Sequence, residues 1–284
     1  MKISVFYEHI AEAAKQSGKS LAQICGIVRS YGITCIEIED ARLQDREDEI
    51  RKLLIESDLT VNCIYAFCDF GNNSKDPKIH SVVDMAKRMG ADKILIIPGF
   101  VREEELLAQN TTLEELKVIK NNALLNMVQA LQKTVEYATE QGITVGMEDF
   151  DDKIAPFATA EQLLWFMQKV TGLTCAFDTG NFLYSEEDAT EALRILKPYI
   201  RHVHCKDRSF LKKEGEVPKL IVKNRELYSS PVGSGCIPMK EILTTIMQMG
   251  YKGSFAIEHF GSLNQLEDMG QSAAWLLEFE KKYK

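Results

Sequence analysis

The chain has 284 residues, 45% hydrophobic and 27% charged, and its 34 Lys and Arg against 42 Asp and Glu give a net charge of −8. That composition excludes extensive disorder, and the acidic balance works against nonspecific nucleic-acid binding. No apolar run approaches the roughly 20 residues that span a bilayer, and Glu8 interrupts the first apolar stretch too early for a signal peptide.

Short β-branched runs alternate with longer amphipathic stretches. In chain order, strands are predicted at 2–7, 33–39, 60–66, 93–97, 143–148, 174–178, 201–205 and 254–258. Helices are predicted at 20–31, 45–57, 77–89, 112–141, 159–170, 188–197, 238–249 and 265–283. Gly32, Gly90, Gly142, Gly172 and Gly250 each follow a helical stretch and precede a strand, where a left-handed helix stop belongs. Eight such units predict an α/β fold, a closed (β/α)8 TIM barrel with a parallel eight-stranded sheet. An open doubly wound sheet is the alternative, but the GxGxxG turn after its first strand is absent. Nothing reads as a linker, so 1–284 is expected to be one domain. The polar stretch 206–235 is expected to be a long loop after strand seven. The seven cysteines are odd in number and lack CxxC spacing, which predicts small buried thiols in a reducing cytoplasm.

Alternation along the strands points to a site. In 144–148, Thr144, Gly146 and Glu148 share a face opposite Val145 and Met147. In 174–178, Thr174, Ala176 and Asp178 face away from Cys175 and Phe177; in 254–258, Ser254, Ala256 and Glu258 face away from Phe255 and Ile257. Each small face ends in a carboxylate. Strand seven puts His202 and His204 together, with His204 at its end. Glu148, Asp178, His204 and Glu258 are therefore expected at one level, facing inward at the C-terminal mouth where barrels build active sites. Three converging acids repel one another, and a divalent cation removes the conflict. Three carboxylates and an imidazole suit Mn²⁺, Mg²⁺ or Co²⁺, with Zn²⁺ and Fe²⁺ also admissible. His202, one layer deeper, reads as a hydrogen-bonded core residue.

Glu37 shares a face with Cys35 and Glu39 and is read either as a sugar contact or as a polar strand end. Lys206 is placed to stabilise an enediolate or hold a phosphate, and Asp207 to orient His204, unless both are solvated loop charges. Arg208, Lys223 and Arg225 offer charges for an anionic substrate or form a solvated loop. Gly233 and Gly235 read as a phosphate nest or a tight turn. Phe150, Phe182 and Phe260 wall the pocket or pack the loops.

These segments carry a family resemblance. GITVGME ending at Glu148, AFDTGN from Ala176, HVHCKD from His202, PVGSGCIP from Pro231, GYKGSFAIEH from Gly250 and GITCIEIE from Gly32 resemble the xylose-isomerase-like TIM barrels, the superfamily of sugar isomerases and epimerases and of the endonuclease-four fold. The resemblance implies that Glu148, Asp178, His204 and Glu258 are metal ligands and that Glu148 and Glu258 also move protons. Glu37, Asn181, Lys206, Asp207 and Arg208 are taken as the candidate substrate contacts. The ketose 3-epimerases of the superfamily often carry a histidine three residues after the metal aspartate, where this chain has Asn181. They also carry a second glutamate near the position of Ile154.

The expected activity is metal-dependent isomerisation or epimerisation of a small sugar or polyol through an enediolate. The alternative is an inosose-type dehydratase on the same metal site. A metal-dependent endonuclease or phosphodiesterase is less favoured, because the chain has five histidines in all and Asn181 stands where that branch also expects one. The expected partner is the sugar alone, with no nucleic acid and no membrane, and a homo-oligomer is allowed.

Overall fold

The computed structural model describes residues 1–105, 111–118 and 121–283. Its strands are β1 (Lys2–Phe6), β2 (Cys35–Glu39), β3 (Thr60–Phe67), β4 (Lys93–Ile97), β5 (Thr144–Met147), β6 (Thr174–Asp178), β7 (Ile200–Cys205), β8 (Asp207–Ser209), β9 (Lys219–Leu220), β10 (Glu226–Ser230) and β11 (Ser254–Ile257). Its helices are α1 (Tyr7–Ser17), α2 (Leu21–Ser30), α3 (Asp40–Leu43), α4 (Glu47–Glu56), α5 (Lys78–Met89), α6 (Leu113–Val118), α7 (Asn122–Glu140), α8 (Ala160–Lys169), α9 (Ala189–Leu196), α10 (Met239–Gln248) and α11 (Gln265–Tyr283). Eight strands close a parallel barrel in the order β1-β11-β7-β6-β5-β4-β3-β2, as the repeat of β-branched runs and amphipathic helices predicts.

The chain separates into two compact units, Met1–Asn62 with Val203–Lys284, and Cys63–His202. In the first unit, β1 pairs with β2 and with β11, and β11 pairs with β7. Helix α1 packs on α2 and α11. The Ser20 hydroxyl accepts the Gln23 N–H and the Gln23 side chain accepts the Ser20 N–H, a reciprocal cap that starts α2. In the second unit, β4 pairs with β3 and β5, β5 pairs with β6, and α5 packs on α7. Asn121 and Thr159 cap α7 and α8 by accepting N–H groups of the first turn. The five glycines expected to stop helices all have positive φ.

Three expectations change. Helix α1 starts where the first strand was expected to end, at Tyr7. Its buried side is Tyr7, His9, Ile10 and Ala13, and a histidine in that stripe breaks the apolar period. The predicted helix 112–141 is present as α6 and α7, with 119–120 outside the described residues. The stretch 206–235 is not irregular throughout: β8, β10 and β9 form an antiparallel sheet in that order. Five cysteines are buried, Cys68 is half-buried and Cys236 exposed, with no disulfide among the described residues. Among those residues no helix is long and apolar enough to cross a membrane.

Candidate metal centre

The barrel strands present their C-terminal ends with a stagger. Gly146 aligns with Thr174 across β5 and β6, so Glu148 lies level with Ala176, two residues short of Asp178. His204 aligns with Ala256 across β7 and β11, so Glu258 lies two residues beyond His204. The expectation of one common level is thus corrected, because strands in a closed barrel are tilted and their register is sheared. The convergence itself holds: one potential ligand atom from each of Glu148, Asp178, His204 and Glu258 lies within 4.8 Å of the others, and all four residues are buried.

In the Cys63–His202 unit, Asp178 ends β6 and turns the chain. Its Oδ1 accepts the N–H groups of Gly180 at 2.7 Å and Asn181 at 2.8 Å, opening the 3-10 segment Asn181–Ser185. The Asn181 side chain donates to the carbonyl of Asp149 at 2.9 Å, tying this turn to the residue after Glu148. Asn181, expected against substrate, is therefore buried and engaged with the backbone. Phe182 is fully buried and packs on Phe177 at 5.3 Å.

In the other unit, the His204 ring lies between two carboxylates, with Nε2 3.2 Å from Glu37 Oε2 and Nδ1 3.3 Å from Glu258 Oε2. Lys206 Nζ lies 2.5 Å from Glu258 Oε1, and the lysine is buried. Burial by itself raises the Glu258 pKa, but the Lys206 ammonium leads the opposing pull, and the carboxyl is held well below its usual range. Glu37 was read as a sugar contact or strand end. It is fully buried and accepts from Ser4 Oγ at 2.9 Å and Asn62 Nδ2 at 3.3 Å, behind His204.

Asp207 also departs from its expected place. Its Oδ1 accepts the N–H groups of Arg208 at 2.8 Å and Ile237 at 3.1 Å, and its Oδ2 those of Gly233 and Gly235, both at 2.9 Å. Burial raises its pKa despite these four donors. The amides offered as a phosphate nest are therefore filled by the chain's own carboxylate. A Cβ on Gly235 would sit 2.2 Å from Asp207 Oδ1, and one on Gly233, whose φ is +82°, 2.1 Å from Trp275 Nε1. Arg208 is buried in β8, not solvated. Arg225 lies over the Phe210 ring at 4.5 Å, and Lys223 is exposed.

The structure adds residues that the sequence reading passed over. Ser4 and Asn62 are polar residues inside apolar strand runs, and that interruption was their signal. His9 of α1 is buried, stacks on His259 with ring centres 4.7 Å apart, and accepts the His259 N–H on Nε2 at 3.0 Å. Phe260 packs edge-on against His9 at 4.5 Å and Phe6 at 5.6 Å.

The donor set fits a divalent cation. Three carboxylates and an imidazole nitrogen, gathered away from water with one ammonium beside them, carry excess negative charge that a divalent ion offsets.

Comparison with known proteins agrees with this architecture. The profile of the family described as xylose isomerase-like TIM barrel matches residues 25–279. An inosose dehydratase from Bacillus thuringiensis (strain Al Hakam) is 33% identical over 86 residues, 29% of this chain and 28% of that protein, so the match spans little more than a quarter of the relative's length. Among solved structures, the probable 3-DHS dehydratase AsbF of Bacillus anthracis superposes with a TM-score of 0.70 at 15% identity, over 98% of this chain and 99% of the other. D-Psicose 3-epimerase of Clostridium cellulolyticum H10 superposes with a TM-score of 0.67 at 15% identity, over 99% of each chain. At such identities these two structures speak to the fold.

Proposed function

We propose, on the premise that this chain belongs to the xylose isomerase-like TIM barrel family, that it is a divalent-metal-dependent isomerase or epimerase of a small sugar or polyol. The carrying observation is the buried convergence of Glu148, Asp178, His204 and Glu258. All four would hold the ion, with Mn²⁺, Mg²⁺ or Co²⁺ suiting the oxygen-rich set and Zn²⁺ or Fe²⁺ also admissible. When bound, the ion would stabilise negative charge developing on substrate oxygen as a neighbouring C–H proton leaves.

The remaining work falls to side chains. The proton beside a carbonyl is too weakly acidic for water to remove quickly, so a carboxylate within reach must take it. Glu148 and Glu258 are assigned that role, one taking the proton and the other returning it for epimerisation. Lys206 favours the ionised form of Glu258, which is the form a base needs. The buried positions of both glutamates limit competition from water.

A second reading has its own support. The matched inosose dehydratase and the superposed AsbF point to loss of water after the same proton abstraction. One experiment separates the two. Metal-loaded protein is incubated in D₂O with ketoses, inososes and their phosphates. Isomerisation or epimerisation places deuterium at the carbon beside the carbonyl without change of formula, whereas a dehydratase product has lost water. Neither exchange nor dehydration across the panel sinks both readings. The single-domain organisation is carried with this proposal, since both unit boundaries fall within single strands; one cooperative thermal transition is expected, and two separate transitions would refute it.

A further inference from the structure

We propose that Glu37 is a positioning residue that holds His204 in the tautomer with its proton on Nε2, leaving the Nδ1 lone pair for a divalent ion. This rests on the metal-centre reading above.

The argument starts from cost. Glu37 is fully buried, and an ionised carboxylate is kept in such a place only where donors compensate its lost hydration. Oε1 receives the Ser4 hydroxyl at 2.9 Å and the Asn62 amide at 3.3 Å. Asn62 Nδ2 also donates to Ser254 Oγ at 2.7 Å, which anchors the cluster to β11, the strand that leads to Glu258. Oε2 faces His204 Nε2 at 3.2 Å. An ionised carboxylate only accepts, so that contact is favourable when Nε2 carries the proton. A neutral ring protonated on Nε2 has its lone pair on Nδ1.

The second contact of the ring agrees. Nδ1 faces Glu258 Oε2 at 3.3 Å, on the side of the four-residue cluster. A lone pair and a carboxylate oxygen that close repel unless a cation lies between them. Phe6 meets the His204 ring edge-on, 5.1 Å between centres at 77°, and resists its rotation. Glu37 thus does for His204 what carboxylates behind metal-ligating histidines do generally: it sets the tautomer, aims the ring and raises the basicity of the ligating nitrogen.

The test reads the tautomer directly. Protein labelled with ¹⁵N-histidine is examined by long-range ¹H–¹⁵N correlation, without metal and at mildly alkaline pH, with His204→Asn assigning the signal. The wild type should show the Nε2–H pattern, and Mg²⁺ or Zn²⁺ should move Nδ1 more than Nε2. Glu37→Gln should mix the tautomers and weaken Mn²⁺ binding about 10–100-fold by calorimetry. Its melting without metal should stay a single transition, which separates misfolding from mispositioning. An Nδ1–H pattern in the wild type overturns the proposal, as does a folded Glu37→Gln protein with unchanged tautomer and Mn²⁺ affinity. If Glu37→Gln does not fold, the wild-type tautomer decides alone. Failure of the wild type to bind any divalent ion overturns the metal-centre reading instead, while the metal-free tautomer still decides the role of Glu37.

Discussion

Two aspartates close two neighbouring stretches of sequence, and they divide their oxygens differently. Asp178 gives Oδ1 to two backbone N–H groups of the turn after β6, while one of its carboxylate oxygens belongs to the candidate metal cluster. Asp207 gives both oxygens to four backbone N–H groups around 208 and 233–237. Both are fully buried, and in sequence both follow strand-like runs, AFD and HVHCKD. What separates them is the number of amides the local chain folds around each carboxylate. A turn of three residues uses one oxygen. The three-stranded excursion after β7 returns to Asp207 and uses both. A carboxylate becomes available for chemistry to the extent that its own loop leaves its lone pairs uncommitted.

The largest effects should come from the carboxylates to which proton transfer is assigned in the proposal. Glu148→Gln and Glu258→Gln should each retain the fold and some metal, yet lose kcat by about 10²–10⁴-fold. Near-normal turnover in either variant, with metal confirmed bound, would remove these glutamates from proton transfer.

Next comes the aspartate pair. Asp178→Asn keeps an oxygen for the turn but loses the charge. Divalent-ion affinity should fall by more than about 100-fold, beyond what is usual for partners behind a ligand, with little change in the melting of the metal-free protein. Asp207→Asn should do the reverse. An amide nitrogen among N–H donors forfeits two charge-assisted bonds and costs about 2–4 kcal/mol in denaturant unfolding, with Mn²⁺ affinity within a few fold of wild type. If the two variants behave alike, counting committed oxygens is the wrong measure.

Glu187 supplies the smallest effect. Its Oε2 accepts a single amide, Ala160 N–H at 2.9 Å, and burial pushes its pKa from 4.5 to about 6. A folded pKa above the unfolded one means that the native state holds the proton more tightly. Stability is therefore lost as pH rises from 4.5 to about 6. Glu187→Gln keeps the acceptor and removes the titration. It should gain on the wild type by up to about 2 kcal/mol above that window and by nothing below it. Chemical denaturation at two pH values checks the sign.

The strands and most helices were legible because their signals are local: β-branched runs, amphipathic spacing, and glycine at helix ends. The clustering of Glu148, Asp178, His204 and Glu258 was legible for a related reason, since two-residue alternation carries each to the inner face at a strand end. Helix α1 was hidden by His9, a polar residue on a buried stripe whose reason is a stacking partner 250 positions away. The strands at 207–230 are too short and too polar to leave a period. Glu37 and Asp207 could be noticed as acids near a site, but not sorted. Their roles depend on which donors arrive from distant chain, His204 for one and the amides of 233–237 for the other. The common level expected for the four ligands ignored the shear that closure imposes on every barrel.

The close approach of Trp275 to Gly233 has an optical consequence. The chain contains two tryptophans, and Trp165 is buried in α8, remote in sequence from the amides that Asp207 gathers. With Trp165 replaced by Phe, the emission of Trp275 comes from a single indole held against the turn that closes over Asp207. Loosening of that turn changes the polarity and quenching around the ring. The protein therefore carries a built-in fluorophore for following the 233–237 segment in real time, without an attached dye.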